Sequence, residues 1–234
     1  FLGSFYFVKQ FLAKDFSAIS KVSFSGIARN ARRYKDFPLF CWGSLANVFA
    51  SQAPILYFSV IFGSVTVGQM SLVMRVLSLP SAVVGYAISQ VLFQKVTELH
   101  RKANSQMRDY VVKMFYRLML FSLPLILVFF FFGPSLFSLV FGQKWETAGN
   151  YSRVIVFAIA FKQAVSPLSV VMLLAENVKL GTAWQFIYMV SLLFTLTYFS
   201  FLSLEKYLTV YVIHETVLYS LYLKFIIMSS KKSS

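Results

Sequence analysis

Apolar residues fall along this chain in long blocks, each about twenty residues or more, with the charge collected between them. The pattern predicts an all-α polytopic membrane protein. Six spans are expected, over 37–62, 68–93, 114–132, 153–174, 182–203 and 208–228. Together they make a six-helix transmembrane bundle over 37–228. Residues 1–8 read as the tail of an earlier transmembrane helix, 9–36 as a basic linker and 229–234 as a tail. The linker either lies on the lipid surface through its interspersed Phe, Ile and Val or is a solvated charged connection. Pro54 and Pro167 fall inside spans and predict irregularity there. A loop is expected over 133–152, and short turns over 63–67, 175–181 and 204–207.

Composition agrees. The 234 residues are 58% hydrophobic with 27 Phe, against about 45–50% apolar in soluble domains. The alternating ten-residue segments of a β-barrel do not occur. No signal peptide is recognisable, and the apolar opening reads as the inside of a longer protein. The net charge of +14 would suggest nucleic acid on a soluble chain. Here it sits between spans, so topology accounts for it and no nucleic-acid partner is expected. With 9–36 placed in the cytoplasm, the inner segments hold seven basic residues there and five over 94–113. Lys179, Lys224, Lys231 and Lys232 add to these, while only Lys144, Arg153 and Lys206 fall outside. That bias puts both ends of the block in the cytoplasm.

Three cations lie within spans. Arg117 is near the inner end of its helix, where a stem can snorkel to the headgroups. Arg75 and Lys162 are roughly 10–14 Å in from the outer ends of theirs, and Glu215 is at a similar depth. Ser71, Arg75, Ser78, Ala82, Gly85 and Ser89 alternate in steps of four and three, so they share one helix face. Ser44, Asn47 and Ser51 form a second polar face, and Ser166 and Ser169 continue one from Lys162. Small and hydroxyl residues can serve close helix packing alone. Buried charge is harder to account for that way, so Arg75 is read as lining a hydrated cavity. Lys162 and Glu215 read equally well as a mutual ion pair or as part of that lining. The candidate cavity residues are Arg75, Lys162, Asn47, Ser71, Ser78 and Glu215.

No catalytic constellation appears: no paired carboxylates, no phosphate loop, no serine beside a base. One cysteine and two distant histidines give no metal site, and no cofactor is expected. The segment Tyr34-Lys35-Asp36-Phe37-Pro38, then Ser51-Gln52-Ala53-Pro54-Ile55-Leu56 and Phe62-Gly63, carries a resemblance. It continues through Arg75-Val76-Leu77-Ser78-Leu79-Pro80, Gly85-Tyr86-Ala87-Ile88-Ser89-Gln90 and Phe141-Gly142-Gln143-Lys144-Trp145. The chain resembles the polysaccharide biosynthesis exporters, the Wzx-like O-antigen flippases of the multidrug/oligosaccharidyl-lipid/polysaccharide superfamily. After about residue 182 only hydropathy supports the likeness.

The resemblance implies two lobes of about six helices around a cavity, this chain being the second. It implies a bacterial inner-membrane transporter, not an enzyme, with the N-terminal lobe and membrane lipid as partners. The cargo would be a polyprenyl-diphosphate-linked oligosaccharide for lipopolysaccharide or a similar surface polymer. A diphosphate leaving water needs Arg or Lys partners. Two alternatives are an exporter of another lipid or drug, and a membrane sugar polymerase or acyltransferase. The last would want catalytic groups in a sizeable loop. The longest outer loop expected here has no histidine and one carboxylate, Glu146.

Overall fold

The computed structural model describes residues 37–80, 85–101, 106–174 and 176–230, and every element among them is helical. The predicted segments 1–8 and 9–36 lie outside these residues, as do Ala82 and the end of the tail. The chain divides into two units, Phe1–Leu39 and Phe40–Ser234, and the second holds the site. The α-helices are α1 Phe37–Pro80, α2 Tyr86–Arg101, α3 Met107–Phe141, α4 Glu146–Val165, α5 Val178–Tyr198 and α6 Leu204–Ser229. Two 3-10 segments, Gln143–Trp145 and Ser166–Leu173, flank α4. Among the described residues five stretches are long and apolar enough to cross a membrane: Cys41–Pro80, Met107–Phe141, Gln143–Leu173, Val178–Tyr198 and Leu204–Ser229. The chain is thus a multi-pass membrane protein. Its surface suits that: Val60 is 85% exposed and Leu139 83%. Such side chains in number are a liability in water and the normal coat against acyl chains.

α1 has 44 residues, far more than one crossing needs. It breaks at Gly63, with φ 79° and ψ 174°, a conformation that only glycine takes without strain. Residues on both sides of the break, Ser51 and Ile55 before it and Ser71 and Arg75 after it, line one cavity. In a straight helix residues 55 and 75 would stand about 30 Å apart, so the chain doubles back at Gly63. The expected turn over 63–67 is therefore a single glycine, and 64–67 are helical.

Of the second expected span, α1 covers the part up to Pro80, and residues 81–84 lie outside the described residues. The chain resumes as α2, which runs on through the expected charged connection to Arg101. α2 buries Leu92, Val96 and Leu99 at steps of four and three and pairs Lys95 with Glu98 at 2.9 Å outside. It is an amphipathic helix, not one of the five crossing stretches.

The expected loop over 133–152 is not a loop. α3 continues through Gly133 and Pro134 to Phe141, and α4 begins after one 3-10 turn. Gly133 and Pro134 look like chain breakers in sequence, but the fold uses them for close approach. A Cβ on Gly149 would come within 2.4 Å of Pro134 Cα, and one on Gly133 within 2.8 Å of Gly149 O. The apolar run through Phe137, which is buried, holds the last turns of α3 on the helix. Gly149→Ala is therefore expected to lower the unfolding temperature of the purified protein in detergent, through overpacking of about 1–3 kcal/mol. Gly68→Ala, inside a helix and where a Cβ meets nothing within 4 Å, should not lower it.

The fourth expected span changes helix type at its proline. α4 ends at Val165, and Pro167 opens the 3-10 segment to Leu173. Asn177 then closes the turn by donating from its amide to Val171 O at 3.1 Å. Across the bundle, Tyr207 of α6 meets Phe58 and Phe62 of α1 edge-on, at 5.5 and 5.3 Å between centroids.

Candidate functional site

The spacing of α1 carries Ser71, Arg75 and Ser78 onto one face. All three line a cavity of about 680 Å³. Gly85 and Ser89 line it too. α1 before Gly63 contributes Ser51 and Gln52, α3 contributes Ser122, α4 contributes Lys162 and Gln163, and α6 contributes Tyr211 and Glu215.

The cations in this wall differ in their surroundings. Arg75 is exposed, and among the described residues no carboxylate pairs with it. Lys162 is held. Its Nζ lies 3.5 Å from Glu215 Oε2 and donates to Tyr188 Oη at 3.3 Å. It also sits over the rings of Tyr188 and Tyr219, at 5.5 and 5.2 Å. Tyr188 Oη donates to Glu215 Oε1 at 2.8 Å. The Glu215 side chain is 1% exposed, whereas that of Lys162 is 34% exposed on the cavity side. His214 approaches Glu215 at 3.7 Å and is itself tied to Ser191 of α5 at 2.9 Å. A buried carboxylate is costly unless paired, and here a cation and a phenol share it.

Five of the six residues expected at the cavity therefore line one space: Arg75, Lys162, Ser71, Ser78 and Glu215. Asn47 is not among them. With Ser44 it lines a separate pocket of about 200 Å³, walled also by Ser169, Thr182 and Gln185. The polar face of Ser44, Asn47 and Ser51 is real, but its far end reaches the other pocket, since seven helical residues rise about 10 Å.

Sequence reasoning missed several participants. Gln163 donates from its amide to Leu77 O at 2.8 Å, tying α4 to the later part of α1. It follows Lys162 directly, which was the available signal. Ser122 is buried in an apolar stretch of α3 and bonds back to Leu118 O. Tyr188 and His214 join the site only through the packing of α5 on α6, which no spacing within one helix reveals. Arg117 does not line this cavity. It is exposed on α3 and lines a neighbouring groove.

The arrangement offers one unpaired guanidinium, a half-open ammonium, and several hydroxyl and amide groups in a partly enclosed space. That set suits an anionic, oxygen-rich group. Among the described residues no three His, Cys, Asp or Glu gather where a metal ion could sit. A family profile described as polysaccharide biosynthesis protein matches residues 19–150, over half of the chain. No curated protein and no solved structure matches it.

Proposed function

The chain belongs to the polysaccharide biosynthesis protein family, and on that premise we propose that it is one lobe of a flippase. The lobe carries a polyprenyl-diphosphate-linked oligosaccharide across the bacterial cytoplasmic membrane, for O-antigen or a related surface polymer. Counted through the reversal at Gly63, with the 3-10 segment Ser166–Leu173 taken as part of the fourth span, the lobe crosses six times. Both its ends are cytoplasmic, on the charge bias between its segments. A second lobe of like size faces it across the cargo path, and the two expose the cavity to each side in turn. The protein is a transporter and not an enzyme.

One observation carries the reading most: Arg75 lines the 680 Å³ cavity, exposed and without a carboxylate partner among the described residues. A cation in a membrane-spanning helix usually faces a pathway, a ligand or a counter-ion. A diphosphate group supplies the missing anion, and the surrounding Ser71, Ser78 and Gln163 suit the sugar oxygens. Deleting the gene should therefore cause lipid-linked oligosaccharide to accumulate on the cytoplasmic leaflet, measured by extraction after periplasmic enzymes have been given access. Loss of surface polymer without that accumulation would reject the flippase. An exporter of drugs with the same architecture predicts changed drug sensitivity and normal polymer.

A further inference from the structure

We propose that the apolar groove along α3 seats the isoprenoid tail of the cargo, with Arg117 at one end receiving the diphosphate before it passes to Arg75 and Lys162. The inference rests on the flippase reading. The groove measures about 670 Å³ and is walled by Leu120, Leu125, Val128 and Phe129, all on one helix. Leu120 and Val128 are 68% and 43% exposed, and Leu125 and Phe129 are half-buried.

Two features separate it from an ordinary lipid-facing furrow. The first is continuity. Pro80, Phe121, Ser122 and Gln163 line both the groove and the cationic cavity, so the two spaces share a wall. An amphiphile lying in the groove has its headgroup delivered beside that wall. A furrow for bulk phospholipid needs no such link. The second is charge. The groove holds one ionised side chain, Arg117, at the opposite end of the lined stretch of α3 from Phe129. Its guanidinium touches only Met114 Sδ among the described residues, at 3.9 Å, and no carboxylate neutralises it. A guanidinium beside an apolar trough matches a phosphate-headed lipid, with two oxygens for its fork. The Gln163 amide, fixed by Leu77 O, stands at the crossing between the two spaces.

Photo-crosslinking tests this on the whole protein in phosphatidylethanolamine–phosphatidylglycerol vesicles. The probe is a radiolabelled long-chain polyprenyl diphosphate at trace level. A benzophenone amino acid replaces Val128 in the groove or, as the reference, Val190, which is 61% exposed on α5. Label is expected on residue 128 several-fold above residue 190. Unlabelled polyprenyl diphosphate should suppress it, and excess phosphatidylglycerol should not. Arg117→Gln should lower the yield at 128 several-fold. Equal labelling at the two positions, or suppression by phosphatidylglycerol, overturns the groove and assigns it to bulk lipid. An unchanged yield in Arg117→Gln overturns the role of the arginine. Failure of the flippase is read separately, by leaflet accumulation in the deletion strain.

Discussion

Arg75→Gln is expected to reduce surface polysaccharide by about ten- to a hundredfold while the protein stays in the membrane at its usual level. The size follows from a hydrogen bond to a charged group, about 1.5–3 kcal/mol. Stability should barely change, because Arg75 is exposed and makes no ion pair among the described residues, so nothing buried is left unpartnered. Glutamine is shorter, keeps two donors, and loses the charge and the fork. Arg75→Lys separates these: a retained point charge restores part of the activity, while the lost bidentate geometry withholds the rest. The measurement is polymer per cell in a deletion strain carrying each variant, beside an immunoblot of membranes. Full polymer with Arg75→Gln removes the guanidinium from the mechanism.

The second large effect is on stability. Lys162→Met leaves Glu215, with a side chain 1% exposed, to the Tyr188 hydroxyl and the distant edge of His214. Breaking a buried pair costs about 3–5 kcal/mol, and the partial exposure of Lys162 scales this towards about 2–3. Glu215→Gln is expected to cost less, because an amide still accepts from Tyr188 and the abandoned ammonium has cavity water to turn to. The double variant Lys162→Met/Glu215→Leu should recover most of the loss, giving a positive coupling in a double-mutant cycle. Unfolding temperatures in one detergent measure all four proteins. Equal losses in the two single variants, with no recovery in the double, would show that the two side chains act independently. Polymer production in the recovered double variant then answers a separate question. If it is normal, the pair serves packing alone; if it is lost, Lys162 also meets the cargo.

Much of this site could be read from spacing, for reasons that the geometry makes plain. Arg75 and its serines are a helical repeat, and a repeat survives whatever the helix packs against. Lys162 and Glu215 lie at similar depths in their expected spans, and depth in a membrane is set by counting. What failed was anything decided between helices. Gly133 and Pro134 look like a loop in isolation, and only the contact with Gly149 shows why they sit inside a helix. Asn47 had the right face but the wrong level. His214 and Tyr188 carry no periodic signature at all, because their partners come from other helices.

The 3-10 segment Ser166–Leu173 has one more consequence. At three residues per turn, positions 166, 169 and 172 stack in a straight column, where in an α-helix each would fall about 60° short of the last. Ser166 faces the large cavity, and Ser169 and Met172 face the small pocket. Pro167 therefore does more than interrupt a span. It turns one short column of side chains into a divider, with the compartment of Arg75 at the Ser166 end and that of Asn47 at the Met172 end.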